Sequence, residues 1–173
     1  AMSTLKVNAI TETDGSAFPF GKILQAEQEV KTGLSSTTSL SFVDLLSVSV
    51  TPSSTSSKFL LMYKVPMSTS VNGYSGMVRL VRDSTAIYIG DSYNSNTRAS
   101  SQAVSVISNG SYIQRDLNGV FIDSPSTTSA ITYKVQFRND YSGYTVYVGR
   151  NIQGSTIDSY ATTPHSFVVM EIG

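Results

Sequence analysis

Hydrophobic and polar residues alternate with a period of two along most of the chain beyond residue 41, which predicts strands rather than helices. Residues 131–138 show it most cleanly: Ile131, Tyr133, Val135 and Phe137 fall on one face, Thr132, Lys134, Gln136 and Arg138 on the other. Residues 41–51 end the same way, with Leu46, Val48 and Val50 opposite Ser47, Ser49 and Thr51, until Pro52 opens a serine-rich loop over 53–58. Residues 59–65 predict a mostly apolar strand, buried on both faces and closed by Pro66. The runs 76–82 and 85–90, separated by Asp83 and Ser84, predict a hairpin. Further strands are expected over 103–107, 120–123, 145–148 and 167–172. Roughly eight to ten short strands divided by Ser, Gly, Asn and Pro turns imply an all-β fold, a jelly-roll-like antiparallel sandwich over residues 21–173. Residues 1–20 follow neither period and predict an extended N-terminal segment.

Residues 23–31 leave two readings open. Their Leu, Gln, Ala and Glu favour a helix by propensity, while Leu24, Ala26 and Gln28 alternating with Gln25, Glu27 and Glu29 suit a strand.

Composition removes several functions. Twelve Lys and Arg balance twelve Asp and Glu, and the basic residues are dispersed in sequence, so no field steers the chain to nucleic acid or an anionic membrane. Only 14% of residues are charged, against roughly one-quarter in an average domain, and 30 Ser and 18 Thr supply a neutral, hydrogen-bonding surface instead. The absence of Cys removes disulfides and thiolate chemistry. The longest apolar run, 59–63, is too short to span a bilayer. The N-terminus lacks the apolar stretch of a signal peptide; Ala1 before Met2 suggests a cloning remnant, with Met2 expected as the native start of a nearly complete chain.

Candidate chemistry is sparse. His165, the only histidine, stands among Thr163, Pro164 and Ser166 with no nucleophile motif, and reads as a loop or interface residue at a strand entry. Asp83, Asp91, Asp116, Asp123, Asp140 and Asp158 read as turn aspartates, and no Asp-x-Asp-x-Asp-Gly ladder makes a calcium loop of Asp91 or Asp140. No catalytic residue, cofactor or metal site is expected, and the sequon at Asn109 carries no expected role. Three loops rich in Tyr, Ser, Asn and Gly surround Tyr74, Tyr93 with Asn94, and Tyr141 with Tyr144. That is the composition of recognition loops, and equally of turns capped by tyrosine. Arg98 and Arg150 lie in or beside these loops, where a guanidinium suits the carboxylate of an acidic sugar.

Several phrases resemble virion proteins of tailed phages. Ser3-Thr-Leu-Lys-Val-Asn-Ala-Ile-Thr-Glu-Thr-Asp-Gly15 resembles the opening of tail-fibre and other virion proteins of marine and cyanobacterial phages. Gly21-Lys-Ile-Leu-Gln25, Val50-Thr-Pro-Ser-Ser-Thr-Ser-Ser-Lys-Phe-Leu-Leu61, Gly154-Ser-Thr-Ile157 and Val168-Val-Met-Glu-Ile172 are similar to phrases of their C-terminal β-sandwich domain. The resemblance implies that residues 23–31 form its first strand. It also implies a homotrimeric fibre or head-decoration protein on the virion surface, docked to capsid or tail proteins through Leu5, Val7, Ile10, Phe18 and Phe20. Residues 71–129 match none of these phrases, and there any recognition of a host surface glycan is expected to reside.

Overall fold

The computed structural model describes residues 22–71, 74–104, 114–151 and 161–173. Eleven strands form two antiparallel sheets, and no helix occurs among the described residues, so none there is long and apolar enough to cross a membrane. They are β1 (Ile23–Lys31), β2 (Ser35–Thr37), β3 (Val43–Val50), β4 (Lys58–Thr69), β5 (Ser75–Arg82), β6 (Thr85–Ile87), β7 (Ser101–Val104), β8 (Arg115–Asp123), β9 (Ile131–Asn139), β10 (Val146–Val148) and β11 (His165–Ile172).

The first sheet runs β1, β11, β4, β8. β10 and β2 prolong it, because β11 pairs with Lys58–Lys64 of β4 and β10 with Met67–Thr69 along the same edge. The second sheet runs β3, β9, β5, and β6 and β7 share the outer edge of β5. Counting β1 with β2, β6 with β7 and β10 with β11 as single broken strands leaves eight, ordered 1-8-3-6 in one sheet and 2-7-4-5 in the other. That order is the jelly roll, two interlocked Greek keys, so the expected fold class holds.

Alternation builds the core. Phe59, Leu61 and Val65 of β4 and Phe167 and Val169 of β11 face Val78, Leu80, Val135 and Phe137 of the second sheet, all at most 3% exposed. At one edge β1 closes the sandwich over β3: the Glu29 carboxylate accepts the backbone N–H of Ser47, and Lys31 Nζ donates to the carbonyl of Leu45. A strand edge is thereby satisfied by side chains instead of being left open to another chain.

The structure corrects several expectations. β4 is not closed by Pro66 but continues to Thr69. The Pro66 carbonyl accepts Gly149 N–H from the β10 side, so the missing proline N–H faces the gap where β11 gives way to β10. Nor is β4 buried on both faces, since Leu60 and Met62 are half-buried and Lys64 is exposed. β6 ends at Ile87 because Tyr88 adopts φ 51°, which turns the chain into the 88–100 loop. β8 begins at Arg115 because its ladder with β4 overrides the turn-like Asp116, Asn118 and Gly119.

β1 is a strand, in eight register pairs with β11. β2 carries no alternation long enough to signal it. His165 is neither in a loop nor at an interface: it opens β11 facing inward and is fully buried. Asp116 and Asp123 lie within β8 rather than at turns, paired with Lys64 at 3.4 Å and Arg82 at 2.7 Å. The anchor residues Leu5 to Phe20, Asn109, residues 154–157 and Asp158, and the predicted strand beyond Val104 lie outside the described residues.

Candidate functional site

The outer face of the second sheet carries the concentration of chemistry. Alternation buries Val78 and Leu80 of β5 and turns Arg79 outward; on β9 it buries Val135 and Phe137 and turns Gln136 and Arg138 outward. The β5–β9 register sets Arg79 beside Gln136 and Met77 beside Arg138. Arg79 Nε donates to Gln136 Oε1 at 2.8 Å, and its guanidinium lies 4.1 Å from the centre of the Phe42 ring. The Arg138 guanidinium reaches the same ring at 5.7 Å, donating from Nε to the Asn139 carbonyl (2.7 Å) and from Nη1 to Thr97 Oγ1 (3.1 Å). Arg98 enters from the 88–100 loop, held by Nε to the Gly90 carbonyl at 2.6 Å.

These three arginines and Phe42 line a groove of about 580 Å³ with Leu40, Ser41, Ile89, Asn96 and Thr97. No carboxylate lines it. Among the described residues Arg79, Arg98 and Arg138 form no ion pair. Asp44, on the neighbouring strand, is committed to Lys134 (2.9 Å) and Gln136 (2.6 Å), whose hydrogen bonds hold its carboxyl below the usual range. Burial first, and then the nearby charge of Arg138, lowers the Arg79 guanidinium. Three guanidiniums thus converge on the groove with no carboxylate in its lining, offset in part by the charge of Asp44 acting on Arg79, although the chain as a whole is neutral.

The tyrosine loops separate into two places. Tyr74, Tyr141 and Tyr144 meet at the end of the sandwich where β5 starts and β9 finishes, with ring centres 4.4 Å (Tyr74–Tyr144), 4.9 Å (Tyr74–Tyr141) and 5.9 Å (Tyr141–Tyr144) apart. The buried Asn139 amide fixes them, donating to the carbonyls of Tyr141 (2.7 Å) and Tyr144 (2.6 Å). Asp140 Oδ2 accepts both the backbone N–H (2.8 Å) and the hydroxyl (2.5 Å) of Ser75. A hydrogen bond to Tyr144 raises the Tyr74 hydroxyl above its ordinary value. The rings occupy one another's faces, which leaves Tyr141, 55% exposed, as the outer surface. Tyr93 and Asn94 share the loop of Arg98 but do not line the groove, and Arg150 stacks on Tyr147 at 4.1 Å.

Of the loop residues read from sequence, only Arg98 enters the groove; Phe42, Arg79 and Arg138 were missed. The alternation of β5 and β9 does turn both strand arginines outward. Their convergence depends on the pairing of strands far apart in sequence, so the expectation of dispersed basic residues fails in space. Among the described residues no three His, Asp or Glu side chains converge as a metal site.

No family model matches this chain, and no curated protein matches it. Among solved structures, the VP2 subviral particle of infectious bursal disease virus aligns with 96% of this chain and 44% of its own, at TM-score 0.45 and 12% identity. T=1 particles derived from the same virus align with 95% and 40% at TM-score 0.46 and 12% identity, and its Gx strain with 87% and 39% at 0.42 and 14%. The chain spans less than half the length of each of these.

Proposed function

We propose that this chain is a non-enzymatic virion structural protein of a tailed phage, a short trimeric fibre or decoration protein docked by residues 1–20 and exposing its jelly roll. The observation that carries this reading is the outer face of the first sheet. Two register rows cross it, Ile122–Leu60–Met170–Ala26 and Val120–Met62–Val168–Gln28, without a charge. Val120 and Ile122 are 62% and 53% exposed, an apolar surface of the kind that marks a protein contact. These two uncharged rows, flanked on β4 by Lys58 and by Lys64 in its ion pair with Asp116, meet a second copy without repulsion, so another protomer is their fitting occupant. The phage phrases add support, because Gln25, Ser53, Ser57 and Glu171 come from three of them and fold into one hydrogen-bonded cluster.

Sedimentation of the purified chain tests the reading. The expected mass is three times 18.6 kDa, falling to the single-chain mass in the double variant Val120→Lys, Ile122→Lys with its circular dichroism unchanged. A wild-type chain that is monomeric at every concentration would sink the fibre assignment. In phage assembly, a chain lacking residues 2–20 is expected to stay off the particle.

A second reading, a receptor-binding fibre tip or lectin-like module for host surface glycans, is favoured by the arginine groove and the adjacent tyrosine cluster.

A further inference from the structure

The geometry points to the groove between the 38–42 segment and the 88–98 loop as a binding site for a sugar that carries a carboxylate, a uronic or similar acid. The inference deepens the glycan-binding reading and rests on it; it stands apart from trimer formation, which concerns the opposite sheet.

The argument starts from charge. Arg79, Arg98 and Arg138 reach one groove from β5, the 88–100 loop and β9, with no lining carboxylate. Each Nε is already bonded, to Gln136, to the Gly90 carbonyl and to the Asn139 carbonyl. Those bonds fix the side chains and leave both terminal nitrogens of Arg79 and Arg98 for a ligand, in the planar fork that matches a carboxylate through two parallel hydrogen bonds, while Arg138, its Nη1 on Thr97, adds its remaining terminal nitrogen. Phe42 adds a second restraint beneath Arg79 and Arg138, so part of the cost of ordering two long side chains is met before a ligand arrives. Two guanidiniums gathered on one aromatic ring are a like-charged pair, and an anion between them relieves it.

The remaining lining selects what bears the anion. About 580 Å³ is far more than an inorganic ion occupies, and falls within the roughly 300–1,000 Å³ of small-molecule sites. Ser41, Asn96 and Thr97 offer hydroxyls and an amide for sugar hydroxyls, while Leu40 and Ile89 offer apolar contact for ring C–H faces.

Titration calorimetry on the full chain tests this with galacturonate and glucuronate oligosaccharides, the matching neutral galactose and glucose oligosaccharides, and inorganic phosphate. Binding of at least one acidic oligosaccharide is expected, weakening as salt rises, with the neutral sugars bound far less. Arg98→Gln and Arg138→Gln should each weaken it roughly ten- to hundredfold, the range for losing a charge-assisted hydrogen bond, with unchanged thermal unfolding. Equal binding of acidic and neutral sugars, no binding of either acid, or binding indifferent to both substitutions overturns the assignment. Full competition by phosphate at the oligosaccharide's own affinity also overturns it, leaving an anion site without sugar recognition. Because sedimentation reads trimer formation separately, a lost sugar site and a lost assembly reading remain distinguishable.

Discussion

At the scale of single residues, the most consequential burial is that of His165. Its ring is fully buried, and neither nitrogen has a hydrogen-bond partner among the described residues. Burial lowers its pKa first and the cation of Lys31 second, while Glu29 pulls the other way. The folded chain therefore refuses a proton that the unfolded chain accepts once pH falls below 6.5. Stability is complete above that value and declines as pH drops toward the lower folded pKa, by at most about 1.4 kcal/mol per pH unit. Urea midpoints across this window should slope for the native chain and flatten for His165→Leu; equal slopes would disprove the linkage. Sequence gave no hint of this role, since Thr163, Pro164 and Ser166 look like a loop. Inward facing at position 165 follows only from extending the alternation of Phe167 and Val169 two residues back.

Glu171 shows the reverse case, a carboxylate whose residue type predicts exposure but which is fully buried. Burial alone would raise its pKa. Hydrogen bonds from Ser57, Gln25 and Ser53 outweigh it and hold the carboxyl below the usual range, with Gln25 Nε2 at 2.5 Å and Ser53 N–H at 2.6 Å. The serine-rich loop over 53–58, legible only as a turn, is in fact the cradle of this charge.

At the scale of elements, the pairing of β4 with β8 explains why one glycine sits in a strand. Gly119 lies opposite Tyr63, and a Cβ there would fall 2.2 Å from the tyrosine ring. The ring is buried over it, its hydroxyl sharing a 2.8 Å hydrogen bond with Ser101 of β7. Gly119→Val should destabilise the fold by about 1–3 kcal/mol, the cost of overpacking, read as a lower urea midpoint. An unchanged midpoint would mean that Tyr63 can swing away at no cost. Strands with sustained alternation, β9 over all nine residues and β3 from Leu46 to Val50, were legible in sequence because each residue declares its face. β2, the first half of β8 and the last four residues of β4 were not, because they are held by ladders to partners distant in sequence.

At the scale of the whole molecule, the jelly roll was legible as a class because strand number and turn spacing are local properties. The groove was not, because it needs the β5–β9 register and the fold-back of the 88–100 loop. The two sheets divide the surface: one outer face carries two apolar, uncharged rows, the other the arginine groove. The ends divide it again. Lys22 and Gly173 exchange backbone hydrogen bonds at 3.2 and 2.9 Å, beside the start of β4. The tyrosine cluster lies beyond its end, 12 residues and about 40 Å away.

That corner has a mechanical meaning. Anything joined to the chain ahead of Lys22 pulls along β1, and a load applied at the far loops opposes it along the strand axis. The eight register pairs between β1 and β11 then bear the force in shear, all at once, instead of peeling apart one by one. A pull on the chain ahead of Lys22 against a hold at the far loops would strain the joint in the direction in which it yields last.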